Sequence, residues 1–170
     1  MRIDEFEIKS PLIFGGEESE AEVFGASVWL WMHSPMHRDL PVHHLQTQLL
    51  PVIKSQQYVL VSRQENPVFF LSWAWLDEDA ERRYLTRSVA NFPAEDWNSG
   101  DRMWFGDWIA PFGDTRQMYH LVRRHVFPDA CVRSLYQHGA TRGLRVINWK
   151  GAKVSASTAR EWWLRHPIAE

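Results

Sequence analysis

Residues 101–114, DRMWFGDWIAPFGD, restrict the fold more than any other stretch of the chain. Met103, Trp104, Phe105, Trp108 and Ile109 have the aromatic and apolar density of a strand, and Pro111 ends its ladder. An acid, Asp107, stands in the middle. A charge in such a setting is costly unless something pairs with it. Gly106, just before it, suggests a bulge that re-aims the side chain. Two readings of Asp107 stand side by side: a carboxylate that caps a turn or bonds backbone amides, and a carboxylate with a chemical task.

The rest of the composition bounds the classes around this strand. With 170 residues, 45% of them hydrophobic, the chain is long and apolar enough for one domain with a real core. Its 10 Trp either fill a bulky core or line an apolar groove. A net charge of −2 argues against nucleic acid as the main ligand. The single Cys131 permits no intrachain disulfide and points to a reducing, cytoplasmic compartment. The opening MRIDEFEIKS, with Asp4, Glu5 and Glu7, is unlike a signal peptide. The most apolar run, residues 68–76, is far short of a membrane span.

Residues 1–20 carry Pro11, Gly15, Gly16 and several acids, and read as a flexible extension; residues 21–170 read as a single domain. The spacing predicts a buried helix over 21–33, ended by Ser34-Pro35, because a residue before proline leaves the helical region. SPMHRDLP then forms a proline-bracketed loop holding His37. A second helix is expected over 42–55, with Pro51 kinking it. Residues 57–63 and 68–76 read as an antiparallel hairpin turned at 64–67. Residues 77–92 read as an amphipathic helix with Ala80, Tyr84, Leu85 and Val89 inward and Arg82, Arg83 and Arg87 outward. Beyond the central strand, Asp114 and Gln117 have the spacing of a cap for another helix, which carries Arg116, Arg123 and Arg124. Two strands over 130–137 and 144–149 follow, joined at His138-Gly139 to Gly143. Thr158 and Glu161 suggest a capping box for a last helix bearing Trp162, Trp163 and Leu164. The sum is an α/β (α+β) chain: a mixed sheet flanked by helices.

Several chemistries find no support. His33 and His37 are separated by Pro35, so they do not share a regular helix face, and neither HExxH nor CxxC occurs; no metal site is expected. There is no GxSxG elbow and no phosphate-binding GxxxxGK[ST] loop. Cys131 lies in a predicted strand, where a thiol is usually structural. What remains is an imidazole and a carboxylate, His37 and Asp107, 70 residues apart. Held together, such a pair does acid–base work, because the carboxylate fixes the tautomer and stabilises the imidazolium. Spacing alone does not bring them together, and each has an ordinary structural reading.

Longer patterns go further. Trp29-Leu30-Trp31, SPMHRDLP, AEDWNSGDRMWFGDWIAPFGD and GLRVINWKGAKV together resemble the toxin-activating lysine acyltransferases, the hemolysin C-like proteins that activate RTX protoxins. The resemblance runs from about residue 28 to about residue 153. It implies a fold similar to the GNAT-type N-acetyltransferases, with a mixed sheet splayed near the central strand. It implies acyl carrier protein as the acyl donor and co-substrate, with no bound cofactor. The acceptors it implies are internal lysine ε-amines of an RTX protoxin, and the assembly a homodimer. By the same resemblance His37 and Asp107 match the essential residues, and Ser34 a residue of lesser role. The basic helix bearing Arg116, Arg123 and Arg124 is the expected contact for the acidic carrier protein. The chain departs from the pattern in its longer lead, in Leu40 and after Lys153. Two rival readings are an acyl-coenzyme A enzyme of the same fold and a non-catalytic protoxin-binding chaperone.

Overall fold

Among the described residues, seven strands follow one another in sheet order as they do in the chain. They are β1 (Arg2–Ile3), β2 (Phe6–Lys9), β3 (Tyr58–Arg63), β4 (Asn66–Leu76), β5 (Arg102–Ile109), β6 (Cys131–His138) and β7 (Thr141–Lys150). The computed structural model describes residues 1–86, 92–138 and 141–169. Within them lie six α-helices: α1 (Pro11–Phe14), α2 (Glu20–His33), α3 (Leu50–Lys54), α4 (Glu78–Thr86), α5 (Thr115–Leu121) and α6 (Ala156–Arg165). The β1–β2, β2–β3, β3–β4 and β6–β7 pairs are antiparallel, whereas β5 runs parallel to β6 through Trp104↔Arg133 and Phe105↔Ser134. The expected mixed sheet with helices is present. Among the described residues no helix is long and apolar enough to cross a membrane.

The residues pack as two units, Met1–Trp73 with Asp107–Thr115, and Ala74–Gly106 with Arg116–Glu170. In the first, the lead contributes β1 and β2 to the sheet. Phe6 and Ile8 are buried on alternate positions of β2, which pairs with β3 from Phe6↔Arg63 to Lys9↔Leu60. Ser10 Oγ donates to the Tyr58 carbonyl at 2.7 Å, and Lys9 pairs with Glu18 at 2.9 Å. The strand's apolar period covers only two residues, so the surrounding acids hid it. Gln64 and Glu65, both at positive φ, make the β3–β4 turn. This is the two-residue geometry that matches strand twist. Asn66 and Pro67, expected in that turn, begin β4 instead.

Helix α2 starts where Ser19 Oγ accepts the Glu22 amide, and its buried face is Val23, Ser27, Leu30 and Trp31. It stops at Ser34, one residue before Pro35, as expected. The second expected helix is a π-helical turn, Leu45–Leu49, leading into α3. Pro51 lies in the first turn of α3, where its missing N–H is not needed.

In the second unit Glu81 of α4 is fully buried. Its carboxylate accepts from Arg102 at 2.7 Å, Trp104 Nε1 at 2.8 Å, Arg133 at 3.1 Å and the Ala169 amide at 3.0 Å. Of the arginines expected outward on α4, Arg82 pairs with Glu78 and Asp79. Arg83 turns to the buried carboxylate of Asp96 at 2.6 Å. Arg87 and Val89, with the predicted helix end beyond Thr86, lie outside the described residues, as does Gly139. Helix α6 is capped by Ser155, whose Oγ accepts the Thr158 amide at 3.0 Å, not by Thr158 as expected. Trp162 and Trp163 pack on Cys131, Val154 and Ala159, while Leu164 is exposed. Burial pushes the Cys131 thiol up from its ordinary pKa, so it is a poor nucleophile.

Candidate active site

His37 and Asp107 meet, within the first unit. His37 Nε2 lies 3.2 Å from Asp107 Oδ1, and the two side chains are 12% and 22% exposed. The loop after α2 sets the imidazole. The Ser34 carbonyl accepts the amides of both His37 and Arg38 at 3.0 Å, and the His37 carbonyl accepts the Leu40 amide. These tight turns bring the third residue after Ser34 back over its own hydroxyl. Ser34 Oγ therefore sits 2.8 Å from His37 Nδ1. The Trp31 ring, one turn earlier on α2, lies 4.8 Å from the imidazole, tilted by 48°.

Strand β5 sets the carboxylate. Asp107 Oδ1 faces His37, and Oδ2 accepts from Ser72 Oγ at 3.1 Å. The same Ser72 oxygen accepts the Asp107 backbone N–H at 2.8 Å. A serine hydroxyl has one proton to give. Since Ser72 Oγ accepts the amide, its proton goes to Oδ2. A carboxylate accepts only, so its other contact, His37 Nε2, carries the proton of the neutral ring. Nδ1 is then a lone pair facing the Ser34 hydroxyl. One chain of hydrogen bonds thus runs Ser34, His37, Asp107, Ser72, with every donor and acceptor assigned.

The tryptophans of β5 have other partners. Trp104 gives its N–H to Glu81 in the second unit. Trp108 packs edge-on against Phe69 at 4.8 Å. The ring laid on His37 is Trp31, which the sequence offered only as one of a crowded apolar run. Ser72 was also missed; its one signal is that it breaks the apolar run VFFLSWAWL. His33, weighed for a metal, bonds the Trp29 carbonyl through Nδ1 at 2.8 Å and lies tilted 5.3 Å from the Phe112 ring. Among the arginines expected to contact a carrier protein, Arg116 on α5 and Arg124 on the π-helical turn Val122–Val126 are exposed. Arg123 donates from Nε to the Lys150 carbonyl at 3.2 Å.

The model of the RTX toxin acyltransferase family matches residues 16–150. The chain belongs to the RTX toxin acyltransferase family. It is 41% identical over 140 residues to the protein-lysine myristoyltransferase HlyC of Escherichia coli, covering 82% of this chain and 81% of the relative. It is 42% identical over 138 residues to the RTX-I toxin-activating lysine-acyltransferase ApxIC of Actinobacillus pleuropneumoniae, covering 81% and 79%. A third relative, the protein-lysine myristoyltransferase RtxC of Kingella kingae, is 40% identical over 137 residues, covering 81% of each. All four residues of the hydrogen-bonded chain fall inside the stretch that the acyltransferase family model covers.

Proposed function

We propose that this protein is a protein-lysine acyltransferase that moves a fatty acyl chain from acyl carrier protein to internal lysine ε-amines of an RTX protoxin. The observation that carries this reading is the 3.2 Å contact between His37 and Asp107 in a chain of this family. A GNAT-like sheet, a homodimer and a cytoplasmic location belong to the same proposal. The parallel β5–β6 pair beside antiparallel neighbours supports the first of these.

The chemistry has one difficult step. An acceptor lysine has a free pKa of ~10.4, and only its neutral amine attacks a thioester. A free imidazole at ~6.5 is the weaker base by about four units, roughly 5 kcal/mol. Desolvating the lysine closes part of that gap. The Trp31 ring against His37 helps keep the site dry. The amine nitrogen bonds to the thioester carbonyl carbon and loses a proton to His37, whose cation Asp107 stabilises. Collapse of the tetrahedral intermediate breaks the C–S bond, and the departing thiolate takes the proton back from His37. The products are an amide and a thiol. The Ser34 hydroxyl points its proton at Nδ1. Its role in this reading is therefore to hold the imidazole and hand on the lysine's proton.

The test is the intact mass of an RTX protoxin fragment after incubation with this protein and acyl carrier protein loaded with chains of different length. Addition of one acyl mass per modified lysine, lost in His37→Ala, supports the reading. Acylation by free acyl-coenzyme A without carrier protein would move the donor assignment to the acyl-coenzyme A rival. Activation of the protoxin by His37→Ala would leave the chaperone reading in its place.

A further inference from the structure

Ser72 lies 35 residues from Asp107 in sequence and is 1% exposed, yet both hydrogen bonds of its hydroxyl go to that one residue. Its oxygen receives the Asp107 amide and its proton closes on Oδ2. The carboxylate is thereby held at both ends: the backbone where the side chain begins, and the oxygen turned away from His37. A carboxylate held at one oxygen only is free to swing about its last bond. Fixed at Oδ2, Asp107 keeps Oδ1 aimed at His37 Nε2. The buried hydroxyl has no second task that these contacts leave room for, since its single proton and the lone pair facing β5 are both used.

We propose that Ser72 is a positioning residue for the acyl transfer. By clamping Asp107 it locks the neutral His37 ring with its proton on Nε2. The working base is then Nδ1, the nitrogen that faces Ser34. This rests on the acyltransferase reading above for its catalytic consequence, but the tautomer is a property of the resting protein. Without the clamp, Asp107 turns, Nε2 loses its acceptor, and the ring divides between its two neutral tautomers. Substrates should still bind, because Ser72 is buried away from the surface they approach; the rate of transfer falls.

The experiment pairs a spectrum with kinetics. Long-range proton–nitrogen spectra of the histidine-labelled full chain are recorded at about pH 8.5, above the free imidazole pKa of ~6.5. In the unaltered protein the His37 signal should show a protonated Nε2 and an unprotonated Nδ1. Ser72→Ala, close in volume and with its thermal midpoint measured alongside to show that packing is kept, should give averaged nitrogen shifts. It should also lower kcat about tenfold with KM for myristoyl acyl carrier protein and for the protoxin fragment unchanged. Ser72→Thr, which keeps the hydroxyl, should recover both. A proton on Nδ1 in the unaltered protein, or a Ser72→Ala variant with unchanged spectrum and kcat, overturns the proposal. If the unaltered protein transfers no acyl group, the acyltransferase reading fails, and the spectrum still decides what Ser72 does.

Discussion

The hydroxyl of Ser34 stands 2.8 Å from Nδ1 of His37, on the edge of the ring opposite Asp107. The two partners do different work, and their loss should have different size. Asp107→Asn replaces an acceptor that fixes the ring with an amide able to donate to Nε2. It should lower the single-turnover rate by about a hundredfold or more. Ser34→Ala removes one neutral hydrogen bond, whose place water can take. It should cost about tenfold or less. Equal losses in the two variants would contradict the assignment of the base to Nδ1 with Ser34 as its helper.

The buried carboxylate of Glu81 sets the second prediction. Four donors converge on it, two of them guanidinium groups of Arg102 and Arg133. Burial lowers the pKa of Arg133, and the charge of Glu81 and its hydrogen bond oppose that shift. Glu81→Ala takes the counter-charge from buried Arg133 and leaves Arg102 only the longer contact to the exposed Glu78 at 3.5 Å. It should destabilise the protein by about 3–5 kcal/mol, read as a shift in urea midpoint at unchanged slope. A change below about 1 kcal/mol would mean that the arginines find other partners at little cost.

These two clusters also mark how much was legible beforehand. The central strand was readable because Met103, Trp104, Phe105, Trp108 and Ile109 leave few alternatives, and it is observed as β5. The loop holding His37 was bounded by its prolines. What local pattern could not supply was partnership across strands. Ser72 reads as an ordinary strand serine until the neighbouring strand sets Asp107 beside it. Glu81 reads as one acid among several on α4, since only the converging strands show that its side of the helix is buried. Strand β2 was hidden for a related reason: FEIK has two apolar residues, and its stability comes from pairing with β3 rather than from its own composition. The cap of α6 was misplaced by three residues because Ser155 and Thr158 are both good capping residues. The turn geometry after Val154 chooses between them.

Tyr58 provides a pH dependence. It is buried at the start of β3, and its phenol is pushed up to about 12, first by burial and then by the charges of Glu18 and Glu20. In the unfolded chain the phenol ionises near its ordinary value of ~10. Between those limits the folded state holds a proton that the unfolded state has released, so stability falls as pH rises. Below the unfolded value the contribution is fully present. Denaturation followed from about pH 9 to pH 12 should show this loss, and Tyr58→Phe should remove the part due to this group. Absorbance titration at the phenolate band should show a late component that the same substitution abolishes.

Arg124 carries the last prediction. Acyl carrier protein is acidic, and the proposed contact is the basic helix after β5. Within it Arg123 is partly committed, since its Nε donates to the Lys150 carbonyl. Reversing its charge would disturb the fold as well as any contact. Arg116 and Arg124 are exposed and free of that complication. Arg124→Glu should raise KM for acyl carrier protein several-fold and leave kcat and the thermal midpoint unchanged. Because exposed charges are screened beyond about 8 Å at physiological salt, the effect should shrink as salt is added. Arg116→Glu combined with it should raise KM further. A KM that stays the same in the double variant at low salt would place the carrier protein on another face.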